Sequence, residues 1–129
     1  MKFNTKVIHG GQHHDPSTGA VMPPVYQTST FVQTSPGQPL NPDYEYSRAA
    51  NPTRSALENA LASIENGSRG LAFGSGLAAI DCVLKLLNPG DEVIACDDLY
   101  GGSYRMFVRL FEKYQLKFHF VNMEAMENI

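Results

Sequence analysis

The chain has 129 residues, 43% of them hydrophobic and 18% charged, with a formal net charge of −3 and two cysteines; its pI is near 5.7. This is the composition of a globular domain able to bury a core. The acidic balance excludes general attraction to nucleic acid or anionic membrane, no apolar run has the length of a bilayer span, and Met1–Thr5 opens no signal-peptide pattern. The expected compartment is the cytoplasm, with Cys82 and Cys96 reduced and packed.

In chain order, residues 1 to about 44 show no sustained periodicity and hold most of the prolines, from Pro16 to Pro42. Such a stretch reads as loop or extended arm, anchored by Val21, Val25, Tyr26, Phe31 and Val32. His9, His13, His14 and Asp15 cluster there without the spacing of a zinc ligand set, and no metal is expected. Tyr46 and Arg48 stand at alternate positions, so an extended backbone places them on one side. A phenol and a guanidinium so placed can clamp a phosphate; an exposed arginine is equally a solvated charge.

Asn51 caps a helix with Pro52 in its first position, an apolar stripe of Leu57, Ala60, Leu61 and Ile64, and a left-handed stop at Asn66-Gly67. Gly70-Leu71-Ala72-Phe73 reads as a short buried strand, Gly74-Ser75-Gly76 as a turn, and Leu77, Ile80, Val83, Leu84 and Leu87 as the stripe of a second helix, which Asn88-Pro89-Gly90-Asp91 stops. Glu92–Cys96 is a second strand, residues 97–102 a loop, and Ser103 the cap of a third helix with the stripe Met106, Phe107, Leu110, Phe111 and Tyr114. Lys117–Val121 is a third strand, with His119 packed, and residues 122–127 read as the start of another helix. Strands alternating with helical crossovers imply a parallel sheet in an α/β fold. Three short strands and an unfinished crossover cannot cover both faces of such a sheet, so the expectation is an N-terminal piece of a longer protein.

Gly74-Ser75-Gly76-Leu77 joins a strand to a helix N-terminus, where unpaired N–H groups and the local dipole favour an anion. The same motif also serves as a plain turn, and it matches neither the P-loop nor the dinucleotide fingerprint. Tyr100 follows the second strand on the same rim, where ligands of open α/β sheets sit. Its ring can stack on a planar cofactor or simply fill the loop. Adjacent carboxylates in a strand point apart, so Asp97-Asp98 and Asp91-Glu92 are not acid/base dyads.

Together these pieces resemble the Cys/Met-metabolism family of pyridoxal-phosphate (PLP) enzymes, the transsulfuration group of cystathionine γ-synthase and cystathionine γ-lyase. The resemblance rests on Thr5–Gly11, Gly19-Ala20-Val21 with Pro23-Pro24, Tyr46-Ser47-Arg48 with Asn51-Pro52-Thr53-Arg54, Ser75-Gly76-Leu77-Ala78, and Asp97-Asp98-Leu99-Tyr100-Gly101-Gly102. It implies an extended arm over residues 1–45 and, over 46–129, the first part of an aminotransferase-like (fold type I) large domain with a mostly parallel sheet. It implies that the amides of Gly76 and Leu77 hold the PLP phosphate, and that Tyr100 stacks on the pyridine and handles protons. Tyr46 and Arg48 would reach the phosphate of a neighbouring subunit in a homotetramer built from dimers. The implied substrate is a small sulfur amino acid, attacked at its β or γ carbon. Methionine γ-lyases carry a cysteine soon after the stacking tyrosine, where Gly101 and Gly102 stand here.

The resemblance also places the family's PLP-binding lysine beyond residue 129, since Lys85, Lys113 and Lys117 do not match its motif. The chain alone is therefore expected to be inactive. Two other readings stay open: a non-catalytic phosphate-binding α/β module, and a nucleotide-binding domain with Asp97 or Asp98 as the ribose-binding acid.

Overall fold

Asn51 begins the helix Pro52–Ile64 for the reason its sequence gives. Its Oδ1 accepts the N–H of Thr53 at 2.9 Å, and the missing N–H of Pro52 costs nothing in the first turn. The structure, a computed structural model, describes residues 1–124, so the helical turns expected at 125–127 lie outside the described residues. It divides into two compact units, Met1–Ala72 and the residues from Phe73 onward.

The first unit contains helix α1 (Phe3–His9), strands β1 (Gln33–Ser35) and β2 (Gln38–Pro39), which pair antiparallel, and helix α2 (Pro52–Ile64). Part of the stretch expected as loop or arm is thus regular. α1 has no capping side chain, but Lys6 and His9 lie in its last turn, where cations suit the dipole. Close backbone approach puts Gly10 and Gly11 against α2: a Cβ on Gly10 would sit 2.6 Å from Ser63 Oγ, and Gly11, at φ 70°, lies against the backbone of Asn59. α2 buries Ala60 and leaves Leu57 and Leu61 exposed. Its left-handed stop is Asn66 (φ 55°) rather than Gly67, whose N–H closes the end on Ala62 O at 2.8 Å.

Residues 70–73 do not form the expected buried strand. Leu71 is 60% and Phe73 43% exposed, and Ala72 donates its N–H to Glu58 Oε1 at 2.9 Å rather than to a ladder. Four apolar residues become a strand only beside another strand, and none pairs with them among the described residues.

The second unit contains α3 (Gly76–Leu84), β3 (Glu92–Cys96), α4 (Gly101–Arg109), a 3₁₀ turn (Phe111–Tyr114) and β4 (Lys117–Val121). β3 and β4 are parallel, in register from Glu92 opposite Lys117 to Cys96 opposite Val121. The α/β class with a parallel sheet is therefore present, with two strands instead of three among the described residues. Val93, Ala95, Phe118 and Phe120 turn one sheet face onto a core of Leu84, Phe107, Phe111 and Leu116, in which Phe107 stacks on Phe118 at 4.7 Å between ring centres. The other face shows Glu92, Ile94, Lys117 and His119. His119 is exposed and bonds Glu92 Oε2 at 2.8 Å, correcting the expectation that it packs. Cys82 and Cys96 are free and half-buried. Among the described residues no helix is long and apolar enough to cross a membrane.

Candidate functional site

Ser75, extended at φ −159° and ψ 159°, caps α3, and its Oγ accepts the N–H of Ala78 at 3.2 Å. The fold thus uses the Ser75 hydroxyl oxygen as the helix cap. Ser75 O takes the N–H of Ala79 at 3.2 Å. The N–H groups of Gly76 and Leu77, in the first turn, have no intrahelical acceptor. A Cβ added at Gly74 or Gly76 would meet nothing within 4 Å, so the backbone there faces open space. Unpaired donors, a helix dipole and room at the backbone together fit a phosphate.

Tyr100 stands at the mouth of α4. Its carbonyl accepts from Ser103 N at 2.8 Å and Tyr104 N at 3.2 Å, so α4 begins at Gly101 and Ser103 lies buried in its first turn instead of capping it. The Tyr100 side chain is 71% exposed. Its ring lies over Gly102: a Cβ there would overlap Tyr100 Cε1, stand 3.0 Å from Cδ1, and stand 3.2 Å from Leu77 Cδ1. Gly102 thus brings the tyrosine ring and the Leu77 side chain together beside the α3 N-terminus. The paired glycines directly after Tyr100 are the sequence signal for this requirement, and within an expected loop they read as ordinary turn residues.

Tyr46 and Arg48 are also brought together, though not by extended backbone. Residues 46–50 turn, with Ala49 N and Ala50 N both on Tyr46 O at 2.9 and 3.0 Å. The turn carries the Arg48 guanidinium over the Tyr46 ring, 4.9 Å from its centre. The rest of the motif holds backbone. Ser47 N donates to Ser29 O at 2.9 Å and Ser47 Oγ donates to Thr28 O. Asn51 Nδ2 donates to Tyr26 O at 3.1 Å, and Thr53 Oγ1 donates to Pro24 O at 3.2 Å while accepting from Tyr26 N at 2.8 Å. Polar side chains so spent fix the turn and leave Tyr46 and Arg48 to face outward.

Asp15 is held by its own loop. It accepts from Thr18 Oγ1 at 2.7 Å and from Ser17 Oγ and N at 2.8 and 3.1 Å, which lowers its carboxyl from the ordinary Asp range, Thr18 contributing most. Among the described residues no group of three His, Cys, Asp or Glu is arranged to hold a metal. Asp97 and Asp98 are exposed at the end of β3.

The sequence profile of the Cys/Met metabolism PLP-dependent enzymes matches residues 4–129. The cystathionine beta-lyase of Coxiella burnetii is 55% identical over 105 residues, covering 81% of this chain and 27% of that protein. The cystathionine gamma-lyase of Dictyostelium discoideum is 46% identical over 128 residues, covering 99% of this chain and 33% of that one. In three dimensions the chain matches a crystal structure of cystathionine gamma-lyase from Lactobacillus plantarum complexed with L-serine, at TM-score 0.87 and 44% identity, over 99% of this chain and 33% of the other. The chain spans a third or less of the length of these relatives.

Proposed function

The chain belongs to the Cys/Met metabolism family of PLP-dependent enzymes, and from that membership we propose that it supplies the phosphate loop and stacking ring of an enzyme acting at the β or γ carbon of sulfur amino acids. The observation that carries this reading is the α3 N-terminus, where the donors of Gly76 and Leu77, open space at the backbone and the Tyr100 ring lie side by side.

PLP, when bound, supplies an electron sink for charge that develops on the substrate. The chain's own residues do the rest. The N–H groups of Gly76 and Leu77 bind the phosphate, and the dipole of α3 adds to their attraction. Tyr100 would lie along one face of the pyridine, keep water from it, and hold or move a proton at the substrate's amino group. Tyr46 and Arg48 complete the phosphate clamp from a neighbouring subunit, in a homotetramer built of dimers that share their sites. On this reading residues 1–45 are an arm, residues 46–129 are the first part of the PLP-binding domain, and the enzyme works in the cytoplasm. The lysine that attaches the cofactor belongs to the whole protein, and residues 1–129 by themselves are inactive. Lyase and transferase remain one proposal, because both need this corner of the site.

The test uses the whole protein. With PLP it is expected to show a visible absorption band that borohydride abolishes, and to release ammonia from cystathionine or to exchange its γ substituent. A whole protein that binds no PLP ends the reading.

A further inference from the structure

We propose that Arg54 and Glu58 are positioning residues that hold the Tyr46–Arg48 turn in the conformation that receives a phosphate. The inference rests on the reading of Tyr46 and Arg48 as phosphate ligands.

One guanidinium gathers three successive carbonyls of that turn. Arg54 Nη1 donates to Ser47 O at 2.9 Å, and Nη2 donates to Ala49 O at 2.6 Å and to Arg48 O at 3.5 Å. Its remaining edge faces Glu58, with Nε 3.5 Å from Oε1, one turn along α2. The same Glu58 Oε1 accepts the N–H of Ala72 at 2.9 Å. α2 thus acts as a post: Arg54 fastens the turn to it, and Glu58 orients Arg54 and ties down the chain just ahead of Gly74.

The geometry asks for arginine. Its planar fork carries five donors at fixed angles, whereas a lysine ammonium cannot span three carbonyls. The placement also separates positioning from bulk stability. The turn is already closed by Ala49 N and Ala50 N on Tyr46 O and anchored by Ser47 on the 28–29 backbone. Arg54 and Glu58 keep 32% and 19% of their side-chain surface, so water can replace much of what their removal takes away. What the fork adds is one fixed direction for Arg48, which is preorganisation for a ligand.

The test measures PLP affinity and the melting temperature of the apo form in the whole protein. Arg48→Ala, Arg54→Ala, Arg54→Lys, Glu58→Gln and the double variants Arg48→Ala/Arg54→Ala and Arg48→Ala/Glu58→Gln are compared. Arg54→Ala is expected to weaken PLP binding about tenfold, the size of one charge-assisted hydrogen bond, with little change in apo melting. Arg54→Lys should recover little of this, and Arg48→Ala/Arg54→Ala should bind no worse than Arg48→Ala alone, because Arg54 acts through Arg48. Glu58→Gln should give a smaller loss that also vanishes in the Arg48→Ala background, which keeps the proposal testable if Arg54→Ala fails to fold. Losses that multiply in the double variants, or Arg54 and Glu58 variants that bind PLP like the wild type, overturn the inference. An Arg48→Ala protein with wild-type affinity instead sinks the phosphate reading beneath it.

Discussion

Gly102 is a poor helix former kept where the Tyr100 ring leaves no room for a side chain. Alanine there should favour α4 by up to about 1 kcal/mol of propensity, yet its methyl must push the ring aside. Because Tyr100 is largely exposed, the ring can swing into solvent at small cost to folding. Gly102→Ala in the whole protein is therefore expected to keep or raise the apo melting temperature while changing the circular dichroism of bound PLP. An unchanged cofactor spectrum would mean that the ring does not depend on this glycine. Tyr46, Arg48 and Tyr100 could be singled out because a phenol or a guanidinium can meet a phosphate or a cofactor ring, and Gly76 and Leu77 because a glycine turn opens a helix there; the roles proposed for them came from the resemblance. Arg54 was not legible as a positioning residue, since its partners are main-chain carbonyls that leave no mark on the sequence.

At the scale of elements, the α2 cap and the β3 and β4 strands could be read from pattern alone, because each follows from local spacing; the third helical stripe, read as one helix, is divided between α4, with Met106 and Phe107, and the 3₁₀ turn, with Phe111 and Tyr114. Two failures have one cause. Residues 70–73 needed a neighbouring strand, and α1 forms with neither a capping side chain nor a buried residue of its own. Neither condition is written locally. On the open face of β3–β4, Glu92 sits in register with Lys117, 2.9 Å from its Nζ, and 2.8 Å from His119 Nε2. Lys117 first, and then His119, lowers the Glu92 carboxyl from its ordinary value of 4.5. A lowered folded value contributes stability that is present above 4.5 and is lost as pH falls through the lowered value. Glu92→Gln should therefore flatten the acid limb of stability below that pH, by a small amount because the groups are exposed. Urea midpoints taken from pH 6 down to about 3 check this. Equal acid slopes in both proteins would leave the pair no role.

For the whole molecule, the sequence's local patterns reached an anion site and no further. The cofactor came from several motifs in one order, and the family match over residues 4–129 bears it out. The shared site of the proposed tetramer had no local signal, because a clamp completed by another subunit joins residues that one chain's spacing does not relate. The central claim is that the α3 N-terminus holds the phosphate, and Gly76→Pro in the whole protein tests it most directly. Ser75 already has the extended backbone that precedes proline comfortably, and the first helical position tolerates proline, so one N–H is deleted with the helix intact. The measurement is the affinity for PLP set against that for pyridoxal, which lacks the phosphate. The expected result is PLP binding weakened about ten- to a hundredfold, pyridoxal binding unchanged, and the apo melting temperature preserved. Equal losses for both ligands, or no loss for PLP, would contradict a phosphate site at Gly76 and Leu77.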